Sequence, residues 1–305
     1  GIVGELPLDW LPLKEKGIAS QGFDQLSFFQ SCSKQAWLVP SIAALPELIR
    51  TAYRVATSPR PGPVALIIPH DIFDAEWDEE TLKIAVDDRS VQAPYLRSTA
   101  PADAIEAAAA LIRRSKRPAL VCGGGVHGSQ AAKVVSAFAD RLGRLAVTSL
   151  SGKGAIDETK PYAAGVLNPL GSWAAIELIQ EADLVIWCGS KVSQNTGMNW
   201  TLPKPEQATI TIDCDPLEHG RTFRPTVPLL GDVREIVTAL DAALGDSLAG
   251  TRPDWEARIV EVIETGERAK AEEIASEAVP ISPPRVMAEI AKRLGDDDIV
   301  VSDAS

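Results

Sequence analysis

Residues 118–128, Pro-Ala-Leu-Val-Cys-Gly-Gly-Gly-Val-His-Gly, constrain this chain more than any other stretch. The apolar run at 119–122 reads as a strand of a parallel sheet buried on both faces, and it runs directly into Gly123, Gly124 and Gly125. Beyond them Val134, Val135, Phe138 and Leu142 recur at helical spacing. Strand, glycine turn and helix start together bring backbone N–H groups close to a phosphate, with the helix dipole favouring negative charge. Gly123, Gly125 and Gly128 also satisfy G-x-G-x-x-G. A dinucleotide site further requires an acidic residue about 20 residues on, at the end of the second strand. Here the second apolar run, 145–149, ends in Ser149-Leu150-Ser151-Gly152. The motif therefore reads as a nucleotide-phosphate site without the ribose-reading acid. A tight turn kept for packing alone is the competing explanation of the same glycines.

A chain of 305 residues is expected to form about two domains. With 45% hydrophobic and 24% charged residues it has the composition of a soluble globular protein. No apolar run approaches the roughly 20 residues that cross a bilayer. The opening Gly1-Ile2-Val3-Gly4 lacks a basic segment and a cleavage pattern, so a chain entered in mid-domain is expected rather than a signal peptide. A net charge of -12 argues against nucleic acid as a partner, since phosphate contacts need clustered Lys and Arg. Cys32, Cys122, Cys188 and Cys214 show no C-x-x-C spacing and read as core thiols of a cytoplasmic protein. His70, His127 and His219 are too scattered for a metal cluster and read as surface or capping residues.

In chain order, residues 1–80 form a first unit. Its clearest element is a helix carrying Ala44, Leu45, Leu48, Ile49, Ala52, Tyr53 and Ala56 on one face, with Ser41 as its expected cap. Prolines 59, 61 and 63 break that helix before a buried central strand at 64–69. Residues 81–99 read as a linker. Thr99 is expected to cap the next helix, with Pro101 in its first turn. Across 100–248 strands and helices alternate. Strands are expected at 145–149, 184–188, 210–213 and 227–230, and helices at 173–181 and 232–244. That alternation predicts an α/β fold, a doubly wound parallel sheet with a Rossmann-like arrangement, flanked by partial α/β units. Ligands of such sheets bind beyond the carboxyl ends of the strands. The candidate site is therefore formed by 123–128, 149–153, 189–191 and 213–216. Residues 249–280 read as a helical connector, and 281–305 as a capped helix followed by a strand at 299–303.

Taken together, these segments resemble the acetolactate synthase-like family of thiamine-diphosphate (ThDP) enzymes. Gln21-Gly22-Phe23-Asp24-Gln25 with Ser33-Lys34 is similar to that family's Gln-Glu-x-Asp-x … Thr-Lys stretch. Pro59-Arg60-Pro61-Gly62-Pro63-Val64 with Ile68-Pro69-His70-Asp71 resembles its Gly-Arg-Pro-Gly-Pro-Val … Ile-Pro-x-Asp signature. Arg117-Pro118 leading to the three glycines, Ser151-Gly152-Lys153-Gly154, and Ile212-Asp213-Cys214-Asp215-Pro216 followed by Gly231-Asp232 match in the same order.

The resemblance implies three domains. Residues 1–80 would be the second half of the pyrimidine-binding domain, 100–248 the central domain, and 281–305 the opening of the pyrophosphate-binding domain. It implies ThDP and Mg²⁺ for the complete enzyme, a 2-oxo acid as small-molecule substrate, decarboxylation with carboligation, and a homodimer or homotetramer. The glutamate that serves ThDP and the Gly-Asp-Gly … Asn metal motif have no counterpart here. No catalytic residue and no metal ligand is therefore expected within residues 1–305, which alone are expected to be inactive. Gln21 and Lys34 are the candidates adjacent to the active site. For FAD or ADP in the central domain, the candidates are Gly123, Gly124, Gly125, Ser149, Leu150, Gly189, Ser190, Lys191 and Asp213. The run Lys191-Val192-Ser193-Gln194-Asn195 departs from the family's Arg-Phe-Asp-Asp-Arg, removing bidentate phosphate donors that Lys191 cannot replace. Three other readings remain open: a free-standing nucleotide-binding protein, a non-catalytic interaction subunit, and another ThDP lyase or decarboxylase of aldehyde lyase or glyoxylate carboligase type.

Overall fold

The computed structural model describes residues 1–20, 22–78, 92–94, 96–142, 145–248, 252–295 and 297–301. Gln21, most of the expected linker and the last four residues lie outside the described residues.

The first unit is built on a three-stranded parallel sheet. Its strands are β1 (Ile2–Glu5), β2 (Gln35–Leu38) and β3 (Val64–Pro69), in the order β1-β3-β2. The expected run at 64–69 is the middle strand, and its five last residues are buried. The two flanking strands are short and half exposed, which is why neither stands out as an apolar run. Helices α1 (Leu11–Glu15), α2 (Gln25–Cys32), α3 (Leu45–Thr57) and α4 (His70–Phe73) connect and cover them. A small core forms from Val39, Ala52, Leu66, Ile68 and Ile72. The expected cap at Ser41 is not made. Ser41 is extended and leads into a single tight turn, Ile42–Ala44, without a side-chain bond, and α3 starts at Leu45 with Pro46 in its first turn.

The second unit is the doubly wound sheet the sequence predicts. Its strands are β4 (Pro118–Cys122), β5 (Ala146–Thr148), β6 (Ala163–Val166), β7 (Leu184–Cys188), β8 (Ala208–Asp213) and β9 (Val227–Leu230). They are parallel throughout, in the order β6-β5-β4-β7-β8-β9. The chain steps outward from β4 to β6, then returns to the other side of β4 with β7. The β4–β7 boundary is therefore the topological switch point. All residues of β4 and β7 are buried. Each large aliphatic side chain among them contributes about 1.5–3 kcal/mol on leaving water.

The second unit's first helices are α5 (Ala102–Arg114), α6 (Gly124–Gly128) and α7 (Ala132–Leu142). Next come α8 (Trp173–Glu181), α9 (Val233–Leu244) and α10 (Pro253–Ala275). Ile112, Phe138 and Leu240, from α5, α7 and α9, pack into the core on one face of the sheet. Leu178 of α8 packs on the other face with Trp255, Ile259 and Val262 of α10. The connector expected at 249–280 is thus a covering helix of this sheet.

Three expectations are corrected here. Thr99 does not cap α5: Pro101 occupies the cap position with extended dihedrals and no side-chain bond. The glycine turn does not open the long helix directly, because the short α6 intervenes and α7 begins only at Ala132. Residues 299–301 form no strand, and neither sheet among the described residues extends to them. Helix α11 (Pro283–Ala291) precedes them with Val286, Met287 and Ile290 exposed.

Candidate functional site: the switch-point edge

The switch point brings the glycine turn after β4 against the turn after β7. Gly123 N–H donates to the Cys188 carbonyl at 2.9 Å, and Gly125 N–H donates to the Gly189 carbonyl at 2.9 Å. Gly189 N–H in turn donates to the Ile212 carbonyl at 2.8 Å, with Gly189 at φ 56°. A Cβ on Gly123 would lie 2.2 Å from the Gly189 oxygen and 2.5 Å from Ser190 Cα; on Gly125 it would lie 2.8 Å from Gly189 Cα. These glycines exist because two strand ends touch there. The packing explanation of the turn accounts for them, and the N–H groups of Gly123 and Gly125 face a neighbouring strand end rather than a phosphate.

The other candidates spread along the same edge without converging. Ser149 caps the turn at Leu150–Gly152, its side chain accepting from Gly152 N–H at 3.0 Å. Gly124 packs beside Ser151, and Leu150 is exposed. Lys191 is exposed, its carbonyl accepting from Thr196 Oγ1 at 2.6 Å. Ser190 is buried and its Oγ has no partner among the described residues; nor has Trp187 Nε1. Both atoms' residues line a polar cavity of about 20 Å³, shared with Asp213 and His219 and sized for one water molecule. Lys34 lies in the first unit, where Nζ donates to the Val55 carbonyl at 2.7 Å and to Ser58 Oγ at 2.9 Å. His127 Nε2 contacts the Lys153 carbonyl at 2.9 Å.

Only Gly125, Gly189 and Asp213 of the candidates line the cleft at the switch point. Its other walls include Pro59 and Pro61 of the first unit, Pro94 and Leu96 of the linker, and Asp232. Two arginines pin these walls: Arg60, marked only as part of a quoted signature, and Arg97, which the sequence did not single out. Arg97 Nη1 donates to both Asp232 carboxylate oxygens, at 2.9 and 3.0 Å, and to the Ser129 carbonyl at 2.7 Å. Ser129 Oγ donates to Asp232 Oδ1 at 2.6 Å, and Asp232 also caps α9. Arg60, at φ 57°, pairs with Asp215 at 2.9 Å and Glu218 at 3.0 Å, joining the first unit to the end of β8. Asp232 was visible as part of Gly231-Asp232, but nothing marked Arg97 within a polar linker.

Burial pushes the Asp213 carboxyl up, partly offset by the Asp215 N–H it accepts at 2.9 Å. The Leu217 N–H and then Arg60 hold Asp215 below the usual carboxylate range. Burial pushes the Cys188 thiol up to about 12 and raises Cys122 as well, so both stay neutral and unreactive.

The cleft leaves room for about 80 Å³. Small-molecule sites run to several hundred Å³, roughly 300 or more. Neither FAD nor ADP fits that space, and the N–H donors of Gly123 and Gly125 are already engaged. The cleft as it stands is therefore too small for an adenine cofactor.

A six-stranded, doubly wound parallel sheet with helices on both faces defines an α/β domain of Rossmann-like arrangement. Residues 105–240 match the family model for the thiamine pyrophosphate enzyme central domain. The chain is 30% identical over 282 residues to a probable acetolactate synthase large subunit of Methanocaldococcus jannaschii, covering 92% of this chain and 46% of that protein. It is 31% identical over 238 residues to the acetolactate synthase isozyme 2 large subunit of Escherichia coli, covering 78% and 41%. It is 32% identical over 210 residues to the large subunit from Corynebacterium glutamicum, covering 68% and 33%. The chain belongs to the ThDP enzyme family and is acetolactate synthase-like. It spans less than half the length of these relatives.

Proposed function

We propose that this chain is part of a ThDP- and Mg²⁺-dependent enzyme that decarboxylates a 2-oxo acid and joins the remaining fragment to an acceptor. The observation that carries the reading is the similarity to acetolactate synthase large subunits across 92% of the chain. When bound, ThDP supplies carbanion stabilisation, and the protein supplies position and electrostatics. On this reading residues 1–80 belong to the pyrimidine-binding domain, 100–248 to the central domain and 281–305 to the pyrophosphate-binding domain. Residues 1–305 contribute scaffold to that reaction. The sequence holds no Gly-Asp-Gly triplet, and among the described residues no group of His, Cys, Asp and Glu could hold a metal ion.

On this reading the central sheet serves as a spacer that carries no flavin, since the cleft at its switch point is small and Gly123 and Gly125 pack against the turn after β7. Arg60 and Arg97 hold the first unit and the linker against that edge. Apolar side chains exposed on the first unit, among them Trp10, Ile18 and Phe28, support assembly into a homodimer or homotetramer. No helix among the described residues is long and apolar enough to cross a membrane.

The test is turnover of pyruvate with ThDP and Mg²⁺ supplied. Residues 1–305 alone are expected to consume none, while a longer protein that adds the ThDP glutamate and the metal motif does. Carboligation by residues 1–305 alone would overturn this assignment.

A further inference from the structure

At the opposite end of β4 from the glycine turn, a cleft of about 610 Å³ opens between the end of α5 and the start of α10. Five strand residues at roughly 3.3 Å each place it some 16 Å from the switch point. Its walls carry Arg113, Arg114, Lys116 and Arg117 in one run, with Arg252 and Arg258 facing them. Only two carboxylates, Glu181 and Asp254, line the same space. This concentration of positive charge stands on a chain whose net charge is -12.

The local pairings do not absorb it. Arg258 is matched by Glu181 at 2.6 Å and Glu261 at 2.9 Å, and Arg113 by Glu106 at 2.7 Å. Arg252 is buried, donates to the carbonyls of Ser115, Leu142 and Ile112, and has the charges of Asp183 and Glu256 acting on it, so it belongs to the cleft floor rather than to the unmatched cations. Arg117 donates Nε to the Glu181 carbonyl at 2.7 Å, and its terminal nitrogens form no salt bridge among the described residues. Arg114 and Lys116 are exposed and form none there either. Asp183, beneath the run, accepts from Ser115 Oγ and the N–H groups of Lys116 and Arg117, and its negative charge offsets part of the cluster, leaving Arg114 and Lys116 as the unmatched cations at the mouth of the cleft.

We propose that this cleft binds a small oligophosphate, a chain of two or three phosphates either free or carried by a nucleoside. Guanidinium groups present paired donors that match phosphate oxygens, and a lysine adds a mobile point charge. A cleft of this volume falls in the range of small-molecule sites. The acidic remainder of the surface repels an extended polyanion, so a compact one is selected. Nothing in this inference depends on the ThDP assignment.

The experiment is calorimetric titration of residues 1–305 with inorganic tripolyphosphate and, separately, with ATP, both without metal. Saturable one-to-one binding that weakens as salt rises is expected. The double variant Arg114→Glu/Lys116→Glu, both exposed positions, should lose on the order of tenfold or more in affinity while its thermal transition stays in place. Lys270→Glu, seventeen residues along α10 from its first residue and therefore roughly 25 Å away, should bind as the parent does. Equal affinity for the two probes assigns recognition to the phosphate chain, and tighter ATP binding adds the nucleoside; both support the site. No saturable binding of either probe, or binding that survives the double charge reversal, would overturn it.

Discussion

Gly123→Ala is expected to unfold the central sheet or to destabilise it by more than about 3 kcal/mol. The added Cβ would meet the Gly189 oxygen at 2.2 Å and Ser190 Cα at 2.5 Å, and both are backbone atoms of the adjoining strand end. Neither can rotate away as a side chain would. Relief requires separating β4 from β7, whose five-residue register runs Pro118↔Leu184 to Cys122↔Cys188 through the centre of the sheet. Gly128→Ala is the internal control. No atom outside its chain neighbours and its own helix backbone lies within 4 Å of the added Cβ, so this change should be within about 1 kcal/mol of neutral. Urea midpoints of the two variants against the parent decide the matter. Equal midpoints would show that the glycine turn is not held by the strand contact described above.

Arg252→Met carries the second large effect. Arg252 donates to the carbonyls of Ile112 at 2.7 Å, Ser115 at 3.0 Å and Leu142 at 3.2 Å, from a position only 6% exposed. Those carbonyls lie at the carboxyl ends of α5 and α7, where four per helix lack partners within the helix and the dipole favours a cation. Burial lowers the guanidinium's pKa, but a guanidinium remains charged at neutral pH. Methionine keeps much of the volume and abandons the buried acceptors. The expected cost is about 3–5 kcal/mol. Arg252→Lys, which retains charge but not the planar fork, should fall between parent and Met. A Met variant as stable as the parent would refute the claim that one side chain ties both helix ends.

The doubly wound sheet was legible in the sequence because its central strands are short runs of wholly buried residues. The runs at 119–122, 184–188 and 210–213, buried but for Asp213, need no partner to be recognised. The edge strand at 163–166, Ala-Ala-Gly-Val, has too little apolar or β-branched character to show itself. Strands at 2–5 and 35–38 escape notice for a related reason, since their exposed faces dilute the pattern. At the candidate site the strand ends were legible as one edge, because topology alone puts them together. The chemistry of that edge was not legible. Three glycines in a row suit a phosphate cradle and a backbone collision equally well, and only the position of Gly189 separates the two. Arg97 and the cationic cleft were invisible for another reason: their partners lie far away in sequence, Asp232 for Arg97 and Arg252 for the run at 113–117.

The switch-point cleft of this ThDP-family sheet is expected to hold no adenine cofactor. A visible absorption spectrum of the purified, unsupplemented protein, followed by acid release and analysis of bound small molecules, tests it directly. No flavin band and no flavin or ADP released from the switch point is the result predicted. A stoichiometric flavin band, lost when Gly189 is replaced by valine in a variant that remains folded, would contradict it.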